Sequence, residues 1–142
     1  MRFNEVYKSD FKLELEELRP EFAKAAQKSY NCWHQDEEGM DVELGSGGIC
    51  QDIASNICGV LVKWRIDCFE QHAETDEQHV WAVAYDEMKE EAYEIDIHPS
   101  AYETGGGYDW KKIPDVVFDG DDIFIGRYDY KNVQYLKDTW SI

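Results

Sequence analysis

The order of apolar patterns in the sequence predicts an α+β domain whose helices pack on one side of an antiparallel sheet. Apolar residues recur at helical spacing through the first part of the chain, and shorter strand-like runs follow it. Short polar segments separate these runs, as hairpin connections do. The chain has 142 residues, which suits one domain with its own core, so we expect a single domain over residues 1–142.

The first amphipathic segment begins after Ser9 or Asp10, either of which can cap a helix. Pro20 either kinks this helix or opens a second one as its first residue, where proline is tolerated. The apolar residues at roughly helical spacing are Phe11, Leu15, Leu18, Phe22, Ala25, Ala26 and Trp33. The polar, acidic segment 34–48 ends in glycines and predicts an exposed loop.

Another helix is predicted to begin at about Ile49, directly after the sequence GSGG. One buried stripe is formed by Ile49, Ile53, Ile57, Val60 and Leu61, and it is widened by Cys50, Ala54 and Cys58. Cys58 therefore has the pattern of an ordinary core residue. Gly59 weakens a helix and indicates either close packing or an approaching helix end.

Three strands are predicted next, at residues 64–72, 79–86 and 91–98, with one more at 122–130. The strand at 79–86 is apolar on both faces, which predicts a central position in the sheet. A hairpin around Met88 pairs residues whose numbers sum to about 175, and so places His79 opposite Asp96. Directly paired side chains share a face about 5 Å apart, within reach for a carboxylate to orient an imidazole.

The charge balance narrows the range of partners. The net charge is −17, from 31 acidic and 14 basic residues, so nucleic acid and anionic membranes are repelled. A basic protein partner fits this charge, although acidity also serves solubility alone. The N-terminus lacks a signal-peptide pattern and no run reaches the length of a membrane span, which predicts a cytoplasmic protein.

The candidate site combines a cysteine, a histidine and an aspartate. A cysteine is nucleophilic as a thiolate, which the positive end of a helix and a nearby histidine favour, and Cys50 has that setting. His79 stands at the start of the central strand, whereas the competing histidines are His34, His72 and His98. Asp96 completes the set through the predicted hairpin. The alternative is that Cys50 is only a packed apolar residue.

The segments GGICQDIA, QHVWAVAYD and YEIDIHPSAYE, which span Gly47 to Tyr102, resemble the transglutaminase-like branch of the papain-like cysteine enzymes. The resemblance implies a papain-like core, with N-terminal helices and a nucleophile-bearing helix packed on an antiparallel sheet. It also implies that Cys50 attacks a carbonyl, His79 transfers the proton and Asp96 orients the imidazole. A side-chain donor upstream of the cysteine would then join the oxyanion hole, and Trp33 or Gln35 are the candidates.

The resulting hypothesis is a cysteine-dependent hydrolase or acyl transferase, such as a peptidase, amidase, deamidase or transglutaminase, acting on an amide of a peptide or protein without a cofactor. Tyr102, Tyr108 and Trp110 flank the glycines of ETGGGYDW and would contact substrate at the rim of the cleft, or form a hydrophobic cluster instead. The competing hypothesis is a non-enzymatic acidic binding or inhibitor protein on an inactive scaffold of the same kind.

Cys68, His72 and His79 are the candidate ligands for a metal site. On a strand the spacing from Cys68 to His72 spans about 13 Å, which is too far for two ligands of one ion. The four cysteines, which are Cys32, Cys50, Cys58 and Cys68, show no CxxC spacing. We therefore expect no metal and free thiols.

Overall fold

The computed structural model describes residues 10–35, 46–73, 79–97 and 117–140. The helices are α1 (Phe11–Glu17), α2 (Arg19–Gln35), α3 (Ser46–Lys63) and α4 (Tyr130–Trp140). The strands are β1 (Asp67–His72), β2 (Val80–Asp86), β3 (Glu91–Ile97) and β4 (Ile123–Tyr128), the last preceded by a short 3-10 helix at Gly120–Asp122. The predicted α+β class is confirmed.

The four strands form one antiparallel sheet in the order β1-β2-β3-β4. β2 lies between β1 and β3, and five of its seven residues are buried. The central position predicted for the doubly apolar strand is therefore confirmed.

The register between β2 and β3 differs from the predicted one. Ala82 pairs with Ile95, and continuing this register puts Asp96 opposite Trp81 rather than opposite His79. The prediction of a direct His79–Asp96 pair is therefore wrong. The shift is two residues on one strand, so the alternation of side chains is unchanged and Asp96 stays on the face of His79 as a diagonal neighbour.

The turn between β2 and β3 explains this register. The Asp86 carboxylate accepts hydrogen bonds from the backbone N–H groups of Met88 and Lys89, at 2.9 and 3.3 Å. Glu90 adopts a positive φ of 53° just before β3 begins. The connection therefore uses all four residues from 87 to 90, and Asp86 pairs directly with Glu91.

The main core lies between one face of the sheet and helices α1, α2 and α3. Its fully buried side chains include Leu15, Phe22, Ile53, Ile57, Leu61, Ile95, Ile97 and Ile123. On β2 this face carries Ala82 and Ala84, both completely buried. These small side chains let α3 lie close to the strand, and this fixes where the N-terminal part of α3 meets the start of β2.

The opposite face of the sheet is covered by α4, so the prediction that helices pack on one side only is wrong. Val133 of α4 is fully buried and packs in a cluster with Val83, Tyr85 and Ala92. The features that indicate this helix lie within its own segment of the sequence. Asp129 caps it by accepting the N–H of Lys131 at 3.0 Å, and apolar residues recur from Tyr130 to Trp140.

Two helix boundaries refine the predictions. Pro20 is the second residue of α2, so it lies in the first turn of a second helix instead of kinking one long helix. α3 begins at Ser46, three residues before the predicted Ile49. The added residues include Gly47 and Gly48, each of which costs about 1 kcal/mol in a helix.

Gly59 is exposed within α3, and a Cβ atom there would meet nothing within 4 Å. Close packing therefore does not explain this glycine, which lies four residues before the helix ends at Lys63. Among the helices of the described residues, none combines the length and hydropathy needed to span a membrane.

Candidate active site

His79 lies at the end of the sheet, immediately before β2. Its carbonyl oxygen accepts a hydrogen bond from the Ala73 N–H at 2.9 Å. This bond continues the pairing of β1 with β2 by one step beyond the His72–Val80 pair. The backbone that carries the imidazole is therefore held by the sheet.

Asp96 of β3 holds the imidazole from one side. Its Oδ2 atom lies 2.6 Å from Nε2 of His79, and its Oδ1 atom accepts the N–H of Ile97 at 2.8 Å. The Asp96 side chain is only 14% exposed and that of His79 is 32% exposed. Both carboxylate oxygens are thus engaged, which fixes the carboxylate and the ring that it contacts.

Cys50 of α3 approaches the same imidazole. The residue is 3% exposed and packs against Ala54 and Val80. Since Val80 directly follows His79, the packing of α3 on β2 brings the thiol to the ring, with which it forms a hydrogen bond. Nε2 faces the carboxylate, so Nδ1 is the nitrogen available to the thiol.

The surroundings of His79 favour its protonated form. Its pKa rises from the ordinary 6.5 to about 10, first because of the hydrogen bond with Asp96 and second because of the hydrogen bond with Cys50. Partial burial of the ring opposes this rise. The protonated imidazole is therefore the dominant form of His79 near neutral pH.

Trp81 adds a contact that the sequence did not predict. Its ring stacks on the His79 ring with a centroid distance of 5.5 Å and an interplanar angle of 23°. The signal was the spacing of two residues on a strand, which places both rings on one face. Trp81 thus restricts the orientation of the imidazole that Asp96 contacts.

Glu94 lies two residues before Asp96 on the same face of β3. Burial, and then the nearby charge of Asp96, raise the pKa of Glu94, while the indole of Trp81 opposes that rise. The Trp81 Nε1 atom is buried and meets no acceptor at full hydrogen-bond geometry among the described residues. Glu94 is therefore a neighbour of Asp96 and Trp81, and Asp96 is the carboxylate that contacts the His79 ring.

The other predicted site residues fall into two groups. The side chains of Trp33 and Gln35, at the end of α2, and the residues Tyr102, Tyr108 and Trp110 lie outside the described part of the chain. Among the competing histidines, His72 is exposed at the end of β1. The structure brings His79, and not His72, to Asp96.

In the described ranges, no three or more His, Cys, Asp or Glu side chains are grouped so that they could hold a metal ion. The arrangement at His79 is instead one of proton transfer, because an imidazole joins a thiol to a carboxylate.

Comparison of the chain with protein-family models, with curated proteins and with solved structures gave no match. The chemistry of the site is therefore argued from its residues.

Proposed function

We propose that the chain is a cysteine-dependent hydrolase or acyl transferase acting on an amide bond of a peptide or protein, on a papain-like, transglutaminase-like core. The observation that supports this most is that one imidazole contacts both the Cys50 thiol and the Asp96 carboxylate. A nucleophile, a proton carrier and an orienting group in this sequence of contacts are what acyl transfer through a thiol requires.

Before substrate binds, the Cys50 proton resides on Nδ1 of His79, so the site holds a thiolate beside an imidazolium. The thiolate sulfur then attacks the carbonyl carbon of the amide. The resulting tetrahedral intermediate collapses as the imidazolium gives its proton to the leaving amine, and a thioester on Cys50 remains. Water or an amine, deprotonated by His79, attacks this thioester and restores the thiolate of Cys50 beside the imidazolium.

The raised pKa of His79 has a role in this sequence. With the ring protonated before substrate binds, its first task is that of a general acid rather than a base. Acylation removes the charge and the hydrogen bond of Cys50, which are two of the causes of the raised pKa. The pKa of His79 therefore falls after acylation, which prepares the imidazole to accept a proton from the second nucleophile.

The test is the pH dependence of alkylation at each cysteine. Iodoacetamide labelling of Cys50 should change little between about pH 6 and about pH 9, whereas labelling of the exposed Cys32 should slow steeply as the pH falls, because only a thiolate reacts. The profile for each cysteine is normalised to its own maximum. The slow access expected for the buried Cys50 then cancels.

His79→Ala should restore the ordinary steep pH profile to Cys50 and leave the Cys32 profile unchanged. Peptide mapping separates the sites, because cleavage before Asp52 parts Cys50 from Cys58 and cleavage before Asp36 parts Cys32 from Cys50. A Cys50 profile as steep as that of Cys32 in the unsubstituted chain would refute the proposal.

A second candidate function is that of an acidic binding or inhibitor protein on the same scaffold without catalysis. The observation that favours it is the net charge of −17. It predicts a basic protein partner whose affinity falls steeply with ionic strength. Binding that persists in Cys50→Ala, together with a steep labelling profile at Cys50, would favour this function over the enzyme.

A further inference from the structure

A second thiol site lies toward the C-terminal end of α3. Cys58 of α3 and Cys68 of β1 are ten residues apart and both are half-buried against the main core. The Cys68 Sγ donates to the carbonyl oxygen of Cys58 at 3.7 Å. This contact joins Cys58 and Cys68 across the helix–strand junction.

The two thiols differ in acidity. The hydrogen bond with Cys68 is the largest cause that raises the pKa of the Cys58 thiol, and burial adds to it. The hydrogen bond from Cys58 lowers the pKa of Cys68, although burial and the charges of Asp67 and Glu70 oppose this. Cys68 therefore ionises first, and Cys58 is the protonated donor beside it.

We propose that Cys58 and Cys68 form a redox-active dithiol site, which hydrogen peroxide oxidises to an intramolecular disulfide. The Cys68 thiolate attacks one peroxide oxygen, which gives a sulfenic acid on Cys68 and releases hydroxide. The Cys58 sulfur then attacks the Cys68 sulfur, its proton leaves with the hydroxyl group as water, and the S–S bond forms. Two thiols lose two electrons and two protons, and the peroxide is reduced to two waters.

The position of the pair gives the disulfide a structural consequence. It would link α3 to β1 across the turn that contains Arg65, whose φ is 61°. The Cys58 carbonyl and the Cys68 thiol are already in contact there, so the two residues are neighbours before oxidation. Cys50 lies two turns earlier on α3, so the proposal does not depend on the function proposed for Cys50.

The experiment treats the full reduced chain with hydrogen peroxide, then denatures it in iodoacetamide and maps the peptides without reduction. Cleavage after Lys63 and before Asp52 separates Cys58 from both Cys68 and Cys50. The expected product is a linked Cys58–Cys68 peptide pair, about 2 Da lighter than the two thiol peptides together. Cys32 should stay alkylated, and dithiothreitol should reverse the link.

Variants assign the two roles. Cys58→Ser should stop the oxidation of Cys68 at the sulfenic acid, which dimedone traps, whereas Cys68→Ser should abolish both products. Cys32→Ser is the matched control and should leave the linked pair unchanged. A map in which Cys58 and Cys68 stay alkylatable while other cysteines oxidise, or in which they oxidise without becoming linked, would overturn the proposal. Both observations can be made on the unsubstituted chain.

Discussion

Helix α3 carries two cysteines, eight residues apart on one stripe, whose surroundings differ. Cys50 is 3% exposed and meets the imidazole of His79, while Cys58 is half-buried and meets the thiol of Cys68. The helix gives both residues the same orientation toward the sheet. The chemistry of each cysteine depends on its neighbour in the sheet. Cys50 meets the residue that precedes β2, and Cys58 meets a residue of β1.

Both sites depend on the packing of α3, so the largest expected effect is at Ile57. This side chain is fully buried between the two sites. Ile57→Ala should lower the free energy of unfolding by about 2–5 kcal/mol, because it removes apolar contacts and leaves a cavity. Urea denaturation measures this loss.

Val62→Ala is the matched control for Ile57→Ala, since Val62 is on the same helix but is 65% exposed. It should change the free energy of unfolding by less than about 0.5 kcal/mol. Equal effects of the two substitutions would show that α3 is not held to the sheet by the stripe that presents both cysteines.

The next largest effect is expected from Asp96→Asn, which should change the reactivity of Cys50 but not that of Cys68. Asp96→Asn should lower the pKa of His79 from about 10, by about 1–3 units, because the charged partner of the ring is removed. NMR titration of the histidine ring protons measures the shift, with His79→Gln to assign the signal. Labelling of Cys50 near pH 6 should slow, while that of Cys68 should not change. If labelling slowed equally at Cys50 and Cys68, the two sites would not be independent.

The same variant has a stability signature. The pKa of His79 is about 10 in the folded chain against the ordinary 6.5, so the folded state binds this proton more tightly than the unfolded state does. The resulting stabilisation is complete below about pH 6.5 and is lost as the pH rises toward 10. The difference in unfolding free energy between the unsubstituted chain and Asp96→Asn should therefore shrink over that range. A difference that grows with pH would contradict the raised pKa.

The smallest expected effect is at Gly59, beside Cys58. Because a Cβ there meets no atom within 4 Å, Gly59→Ala should stabilise the fold by about 0.5–1 kcal/mol through helix propensity alone. Thermal denaturation measures it, and the labelling profiles of Cys50 and Cys58 should be unchanged. A loss of stability would instead indicate a close contact at Gly59, the alternative that the sequence pattern left open.

The elements that the sequence predicted best are those with strong periodicity. The stripe of α3 and the doubly apolar β2 lie where the patterns placed them, since burial enforces these patterns directly. The short helix α4 was missed because it follows β4 after a single residue, so the strand predicted at 122–130 ran into its first residue. Its existence reversed the expectation that one face of the sheet is without helices.

The candidate site shows a similar division. His79 and Asp96 were paired correctly as neighbours, but through a register two residues from the true one. The contact survived because the alternation of side chains along a strand repeats every two residues. The stacking of Trp81 on His79 was missed although the two residues are two apart on one predicted strand. The contact of Cys58 with Cys68 could not be predicted, because it depends on the packing of α3 on β1.

The sequence by itself determined the class of the fold, the identity of the central strand and the face on which each apolar residue lies, because burial acts on patterns within one segment. The tertiary structure alone decided which groups meet. The turn at 87–90 set the register that makes Asp96 a diagonal neighbour of His79, and the small alanines of β2 set how closely α3 approaches the sheet. Whether a thiol is a candidate nucleophile or half of a dithiol depends on such distances. They cannot be predicted from any one segment, because they result from the packing of several.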